Sequence, residues 1–199
     1  MTAHVSNRLR GDGQDDLFGR PARGPEGFRY QPDLITADEE AELISHLEQL
    51  QFEPFNFQGH LAHRQVVGFG YRYDYSSRTV RPAPAIPDFL QPLRQKIGVF
   101  SGMEAEAFQQ VLINQYKPGA GIGWHKDKPH FEHVVGVSLS APCLFRFRQK
   151  VGAGWERIYL PIEPRSAYLL TGPSRRLWEH SIPPLDAQRF SITLRTLAA

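Results

Sequence analysis

Apolar positions along the 199-residue chain change period partway through. Ala41, Ile44, Leu47 and Leu50 recur at helical spacing and Leu43 widens the stripe. That spacing predicts a helix over about 37–50 with one apolar face. Thr36 precedes it with Glu39 three residues on, the capping-box spacing in which each side chain satisfies the other residue's backbone N–H. Pro54 bars continuation. Phe89, Leu93 and Ile97 predict a second helix over about 88–98, in which Pro92 is tolerated because it lies near the first turn. Between the helices, residues 63–75 read as extended, and Gly27 to Tyr30 form a short extended start.

Beyond residue 109 the pattern becomes a series of short β-rich runs, at 111–116, 134–140, 143–149, 155–162, 167–171 and 189–197. Turn residues separate them: Pro118-Gly119, Pro142, Gly152 to Gly154, Pro164 and Gly172-Pro173. Many short strands between turn signals predict a sandwich or barrel. The expected class is α+β, mainly β. Residues 27–199 form one domain, with helices and a substrate lid in 27–108 and the β-core in 109–199. Residues 1–26 lack apolar periodicity and read as a flexible arm.

Composition adds limits rather than direction. Hydrophobic residues make up 41% and charged residues 22%, ordinary for a globular chain. A single cysteine, Cys143, excludes an internal disulfide framework and suits a reducing compartment. The opening residues are too polar for a signal peptide, and no apolar run approaches a membrane span. A cytoplasmic monomer with no membrane partner is expected. A net charge of +2 carries no global polybasic signal. Arginine outnumbers lysine, however, and arginine is the cation that stacks on planar groups and grips phosphates or carboxylates bidentately.

The chemistry concentrates at three places. Trp124-His125-Lys126-Asp127 sets a His and an Asp two residues apart; in an extended segment both point to one face and can converge on one ion. His180, just before the last strand, can supply a third ligand, and two His with one carboxylate is the arrangement of non-haem Fe(II) oxygenases. Zinc hydrolases use similar sets. His130 and His133 could join His125 and Asp127 in a compact local site, but such a loop suits a closed structural metal that nothing else here calls for. Those two are expected at a loop edge or substrate mouth.

The second place is the last strand. Alternation puts Arg189, Ser191, Thr193 and Arg195 on one face and Phe190, Ile192 and Leu194 on the other. The apolar face must pack, so the polar face points into a cavity. The arginines lie about 20 Å apart along the strand, and reaching inward they could bracket a small dianion. The plainer alternative is an edge strand with a solvated basic face, and a zinc hydrolase gives this face no role.

The third place is residues 64–81, where Arg64, Arg72, Arg78 and Arg81 interleave with Phe69, Tyr71, Tyr73 and Tyr75. The mix suits a lid that stacks a base and steers phosphates. Equally, the tyrosines alternate as one buried strand face. Arg64, Phe69 and Arg72 are the better contact candidates, with Tyr71 and Lys128 beside them. Arg146 and Arg148 alternate with Phe145 and Phe147 and share a face, either solvent or cavity. Trp124, Trp155 and Trp178 are expected in the core or at the barrel rim, and Cys143 as buried packing.

Asn114-x-Tyr116, Pro118-Gly119, His125-x-Asp127, Gly172-x-Ser174-Arg175, His180 and Arg189-x5-Arg195, in that order, make the stretch from Asn114 to Arg195 similar to the AlkB family of Fe(II)/2-oxoglutarate dioxygenases. The resemblance implies a double-stranded β-helix, a form of jelly roll. It implies iron held by His125, Asp127 and His180, and 2-oxoglutarate bound by Asn114, Tyr116, Arg189, Ser191, Thr193 and Arg195. The implied reaction couples decarboxylation of 2-oxoglutarate to oxidation of a C–H bond. On an N-methyl group this releases formaldehyde and the free amine, with alkylated DNA or RNA as substrate. Some members carry an acidic residue two positions after the iron Asp; here Pro129 stands there, so lesion preference does not transfer. The His63-Arg64 to Tyr73 stretch also resembles members acting on RNA or protein. A tRNA- or protein-modifying 2-oxoglutarate hydroxylase or demethylase is therefore one alternative, and a non-catalytic nucleic-acid-binding module is another. In the arm, Gln14 to Phe18 resembles the Q-x-x-L-F peptide that docks on the bacterial sliding clamp. A small apolar anchor on the domain surface is the plainer reading of those five residues.

Overall fold

The computed structural model describes residues 24–57, 60–74, 77 and 79–198. The Gln14 to Phe18 segment, Tyr75 and Arg78 lie outside these residues. Strand β1 (Phe28–Gln31) leads to helix α1 (Ala37–Leu47), then β2 (Glu53–Phe57), β3 (His60–Phe69), β4 (Tyr71–Asp74) and β5 (Thr79–Pro82). Helix α2 (Gln91–Ser101) follows, then β6 (Phe108–Tyr116), β7 (Ile122–His125), β8 (Phe131–Leu139), β9 (Cys143–Val151) and β10 (Gly154–Ile162). The chain closes with β11 (Ala167–Leu170), α3 (Gly172–Arg176), β12 (Glu179–Ile182) and β13 (Arg189–Leu197).

The strands form a seven-stranded sheet in the order β1-β11-β8-β13-β6-β3-β2, a four-stranded sheet β10-β9-β12-β7, and the hairpin β4-β5. The recorded pairings are antiparallel. Each of the six predicted β-rich runs is a strand. The four-residue strands β7 and β12 were not set out as strands by the pattern, because polar and metal-type residues interrupt it (Ile122-Gly-Trp-His125 and Glu179-His-Ser-Ile182).

The capping box predicted for α1 is present. Glu39 N–H donates to Thr36 Oγ1 at 3.2 Å, and Thr36 N–H donates to Glu39 Oε2 at 2.8 Å. The helix stops at Leu47, three residues short of the expected end, because Gln49 and Leu50 N–H groups bond three residues back in a tighter turn. Helix α2 starts after a 3-10 turn at Asp88–Leu90 and runs to Ser101, beyond the predicted 98. Gly102 ends it at φ 75°, a left-handed conformation suited to glycine.

Both helices cover one face of the large sheet. Leu43, Leu47, Leu93 and Ile97 pack there with Val111, Ile113, Val135, Val137, Phe190, Ile192 and Leu194. A second core fills the space between the sheets, built on Val134, Phe145, Phe147, Leu160, Ile162, Tyr168 and Leu170. Within it Tyr168 lies across Gly136 of β8, where a Cβ would meet the ring at 2.2 Å; glycine is what lets the strand and ring approach. Cys143 and Trp178 are buried as expected. Trp155 is 42% exposed and sits on the outside of the small sheet.

Candidate active site

Strands β7 and β12 pair so that His125 lies opposite His180. Directly paired residues share a sheet face, which turns both rings inward, and Asp127 follows two residues after His125. Candidate ligand atoms of His125, Asp127 and His180 all lie within 4.8 Å of one another. His180 Nε2 is 3.6 Å from an Asp127 oxygen, and the two imidazole centroids are 4.2 Å apart. His125 Nδ1 lies 2.9 Å from the Gly123 carbonyl. Donation to that oxygen selects the tautomer whose Nε2 lone pair faces the cluster.

Burial, reinforced by neighbouring His125, holds His180 down at about 3. Burial also lowers His125. Both rings are therefore neutral, the form that ligates a metal. For Asp127, burial alone would raise the carboxyl, but Arg195, then His180 and His125, outweigh it and leave it far below the usual range.

The cluster opens into a cavity of about 780 Å³ between the sheets. From β13, Ser191, Thr193 and Arg195 line it, with Asn114 and Tyr116 from β6. The alternation read from the sequence is thus realised: Phe190, Ile192 and Leu194 face the helices, and the polar set faces the cavity side. The two arginines are nevertheless differently engaged. Arg195 donates to Asp127 Oδ1 from Nε at 3.0 Å and from Nη2 at 2.9 Å, and to Gln110 Oε1 at 2.8 Å. Arg189 is fully buried and donates from Nε to Ser138 Oγ at 3.0 Å, while its two terminal nitrogens have no hydrogen-bond partner among the described residues. The Tyr116 ring lies 5.2 Å from its guanidinium carbon.

Unpaired buried guanidinium nitrogens are costly unless an anion meets them. Arg175 and Arg189 are buried beside the Asp127–Arg195 pair and keep nitrogens without a hydrogen-bond partner among the described residues. The donor set fits a divalent metal of borderline softness, and the excess of guanidinium fits a small dicarboxylate.

Other predicted contacts separate by strand parity. Arg64 of β3 lines the cavity and donates to Asn114 Oδ1 at 2.6 Å, and Asn114 lies 3.5 Å from Ser191 Oγ. Phe69, expected at the substrate, instead packs in the helix-side core. The reason lies in register: Val66 and Gly68 oppose Asn114 and Leu112 on the cavity face, whereas Val67 and Phe69 oppose Ile113 and Val111 on the core face. Arg64 and Phe69 are five residues apart and cannot share a face. Tyr71 is half-buried and is not among the residues lining the cavity, where Arg72, Tyr73 and Lys128 are. The Lys128 ammonium sits 5.3 Å over the Tyr73 ring, and His130 packs on the same tyrosine with centroids 5.2 Å apart. His130 therefore meets the β4–β5 hairpin, and His133 bonds to Thr196 Oγ1 at 3.1 Å. Neither belongs to the three-residue cluster found among the described residues.

Three contributors were not given their roles by sequence reasoning. Gln110 completes the Arg195 fork, and Ser138 holds Arg189. Arg175 reaches from α3 to the backbone carbonyls of Lys128 and Phe131, the latter at 2.6 Å, and so fixes the loop after Asp127. Arg175 stood in a recognised motif, and the parity of Gln110 opposite Arg195 on β6 was the available signal for its neighbour.

A two-sheet β-core with a one-sided His-Asp-His cluster beside an unpaired buried guanidinium defines a non-haem iron oxygenase architecture. The family model for the 2OG-Fe(II) oxygenase superfamily matches residues 27–195. Human DNA oxidative demethylase ALKBH2 is 30% identical over 200 residues, covering 86% of this chain and 74% of that protein. Mouse tRNA (carboxymethyluridine(34)-5-O)-methyltransferase ALKBH8 is 30% identical over 167 residues, 80% of this chain but 24% of that protein. The ALKBH8 homologue of Arabidopsis thaliana is 29% identical, and the chain spans 51% of its length. In fold, the solved structure of OsALKBH1 superposes with a TM-score of 0.65 at 18% identity, covering 90% of this chain and all of that one. The chain belongs to the 2OG-Fe(II) oxygenase superfamily and, within it, to the AlkB family.

Proposed function

We propose that this chain is an oxidative demethylase of N-alkylated bases in DNA or RNA. The observation that carries the reading is the buried guanidinium of Arg189, with both terminal nitrogens without a hydrogen-bond partner among the described residues, beside the cavity of the His125, Asp127 and His180 cluster. His125 Nε2, an Asp127 oxygen and His180 would hold Fe(II). Arg189, over Tyr116, would take the distal carboxylate of 2-oxoglutarate through paired N–H donors. Ser191, Thr193 and Asn114, which line the cavity, would hold its chain. Arg195 orients Asp127 by fixing one of its oxygens, which leaves the other oxygen to the metal. With iron and 2-oxoglutarate bound, dioxygen chemistry oxidises an N-alkyl C–H bond, and the hydroxylated product breaks down to an aldehyde and the free amine.

The protein's share is positioning. Arg72, Tyr73 and Lys128 line the cavity on the lid side and offer an aromatic face and cations to a displaced base and its phosphates. A second reading, modification of tRNA, draws on the ALKBH8 relatives and on Pro129 at the position where some family members have an acidic residue. Formaldehyde release separates these. Turnover of N-methylated DNA or RNA oligonucleotides supports the lead reading. Turnover confined to tRNA moves the assignment to the second, and turnover of methylated peptides alone overturns both. Absence of 2-oxoglutarate consumption with every substrate would revive a non-catalytic binding module.

A further inference from the structure

The outer face of the small sheet carries a second set of stackable groups, away from the cavity. In the β9–β10 register Lys150 lies opposite Trp155, Arg148 opposite Arg157 and Arg146 opposite Tyr159, so all six share the face turned from the core. The Arg148 guanidinium sits 4.5 Å from the Trp124 ring centre and 4.4 Å from that of Trp155, between two indoles. Arg146 lies 5.0 Å from Trp124 and is steadied by donating to Ser181 Oγ at 3.0 Å. Arg148 is steadied by Glu179 at 2.5 Å.

Two features call for an external ligand. Arg148 and Arg157 stand directly opposite each other, a like-charge pair that Glu179, bonded to Arg148 from β12, offsets only on one side. Trp155 and Tyr159 are 42% and 52% exposed, although large aromatics gain by burial. A chain of net charge +2 thus gathers four cations on this face, Arg146, Arg148, Lys150 and Arg157, against Glu179. A second copy of the same face would be repelled by these charges. Trp124 lines the cavity as well as stacking in this ladder, so the face is continuous with the mouth of the site.

We infer that the outer face of β9 and β10 is a docking track for single-stranded nucleic acid, binding the segment that flanks the base held in the cavity. Phosphates meet the cations, and bases stack on Trp155 and Tyr159, a mode that tolerates any sequence. The inference rests on the proposed nucleic-acid substrate, but it predicts binding of strands carrying no lesion.

The test is fluorescence anisotropy of the full chain with labelled, unmodified single strands of about 3 and about 15 nucleotides. Trp155→Ala and Arg157→Glu, both at exposed positions, are compared with wild type, alongside formaldehyde release from methylated strands. The inference expects each variant to weaken the longer strand about tenfold, with no difference on the shorter. It also expects a salt dependence that is shallower for Arg157→Glu. Unchanged affinity for the longer strand overturns it, even where methylated oligonucleotides are turned over. Loss of strand binding in the variants, with no turnover by wild type, supports the track while the demethylase reading fails. Retained strand binding with lost binding to phosphatidylserine vesicles also overturns it, and gives the face to a membrane surface.

Discussion

On β13, Phe190, Ile192 and Leu194 point to the helices, whereas Arg189, Ser191, Thr193 and Arg195 point between the sheets. Both sets are largely buried, yet they carry opposite kinds of free energy. The helix side joins apolar side chains from two helices and the large sheet, where each contact supports the fold. The other side holds charges whose desolvation works against folding, and it contains two guanidinium nitrogens that no described residue satisfies. One strand thus separates stability from chemistry by parity alone, and substitutions on its two faces should fail in different ways.

The largest expected effect belongs to the cavity side. His180→Ala removes one of three converging ligands and should abolish 2-oxoglutarate turnover and the visible band that forms on anaerobic addition of Fe(II) and 2-oxoglutarate. The thermal midpoint should fall as well, since the ring is buried and stacked on Phe145, so the band is the deciding readout. A band of wild-type intensity in this variant would break the assignment of His180.

Arg189→Met comes next and sharpens the contrast further. Loss of a buried charge-assisted pair costs about 2–5 kcal/mol, so the apparent affinity for 2-oxoglutarate should fall by at least about 30-fold. Without ligand, the variant should unfold at the same denaturant concentration as wild type or a higher one, since an apolar replacement for an unpaired buried charge is neutral or stabilising. Marked destabilisation of the variant in the absence of ligand would mean that Arg189 is structural.

Ile192→Ala tests the opposite face of the same strand. Ile192 is fully buried against the helices, and truncation there should cost about 2–5 kcal/mol of unfolding free energy. Turnover per folded molecule should stay close to wild type. If turnover fell as steeply as in Arg189→Met while stability held, the division by parity would be wrong.

How far the sequence reveals this arrangement follows from the same parity. Alternation along 189–195 and the His-x-Asp spacing are local, so the facing of β13 and the pairing of His125 with Asp127 are legible without a structure. Partners across strands are not local. Gln110 meets Arg195 only because β6 and β13 pair in one register, and Arg175 meets Lys128 and Phe131 only after α3 folds back. Phe69 lies at an odd separation from Arg64, which alone places the two on opposite faces of β3. The exposed Trp155 was not readable, because a tryptophan in an alternating strand looks the same whether its face is covered or open.

The smallest effect is expected far from both faces, at the start of α1. Thr36 and Glu39 satisfy each other's backbone N–H groups, and Lys96 of α2 bonds to Glu39 at 2.8 Å. Thr36→Ala removes the acceptor for Glu39 N–H and should lower stability by about 1 kcal/mol, read as a shift in urea midpoint with unchanged slope. Because α1 covers only the apolar side of the large sheet, 2-oxoglutarate affinity and the anaerobic band should be unaltered. A change in either would show that helix docking reaches the cavity through the sheet, and the two faces of β13 would then be coupled rather than independent.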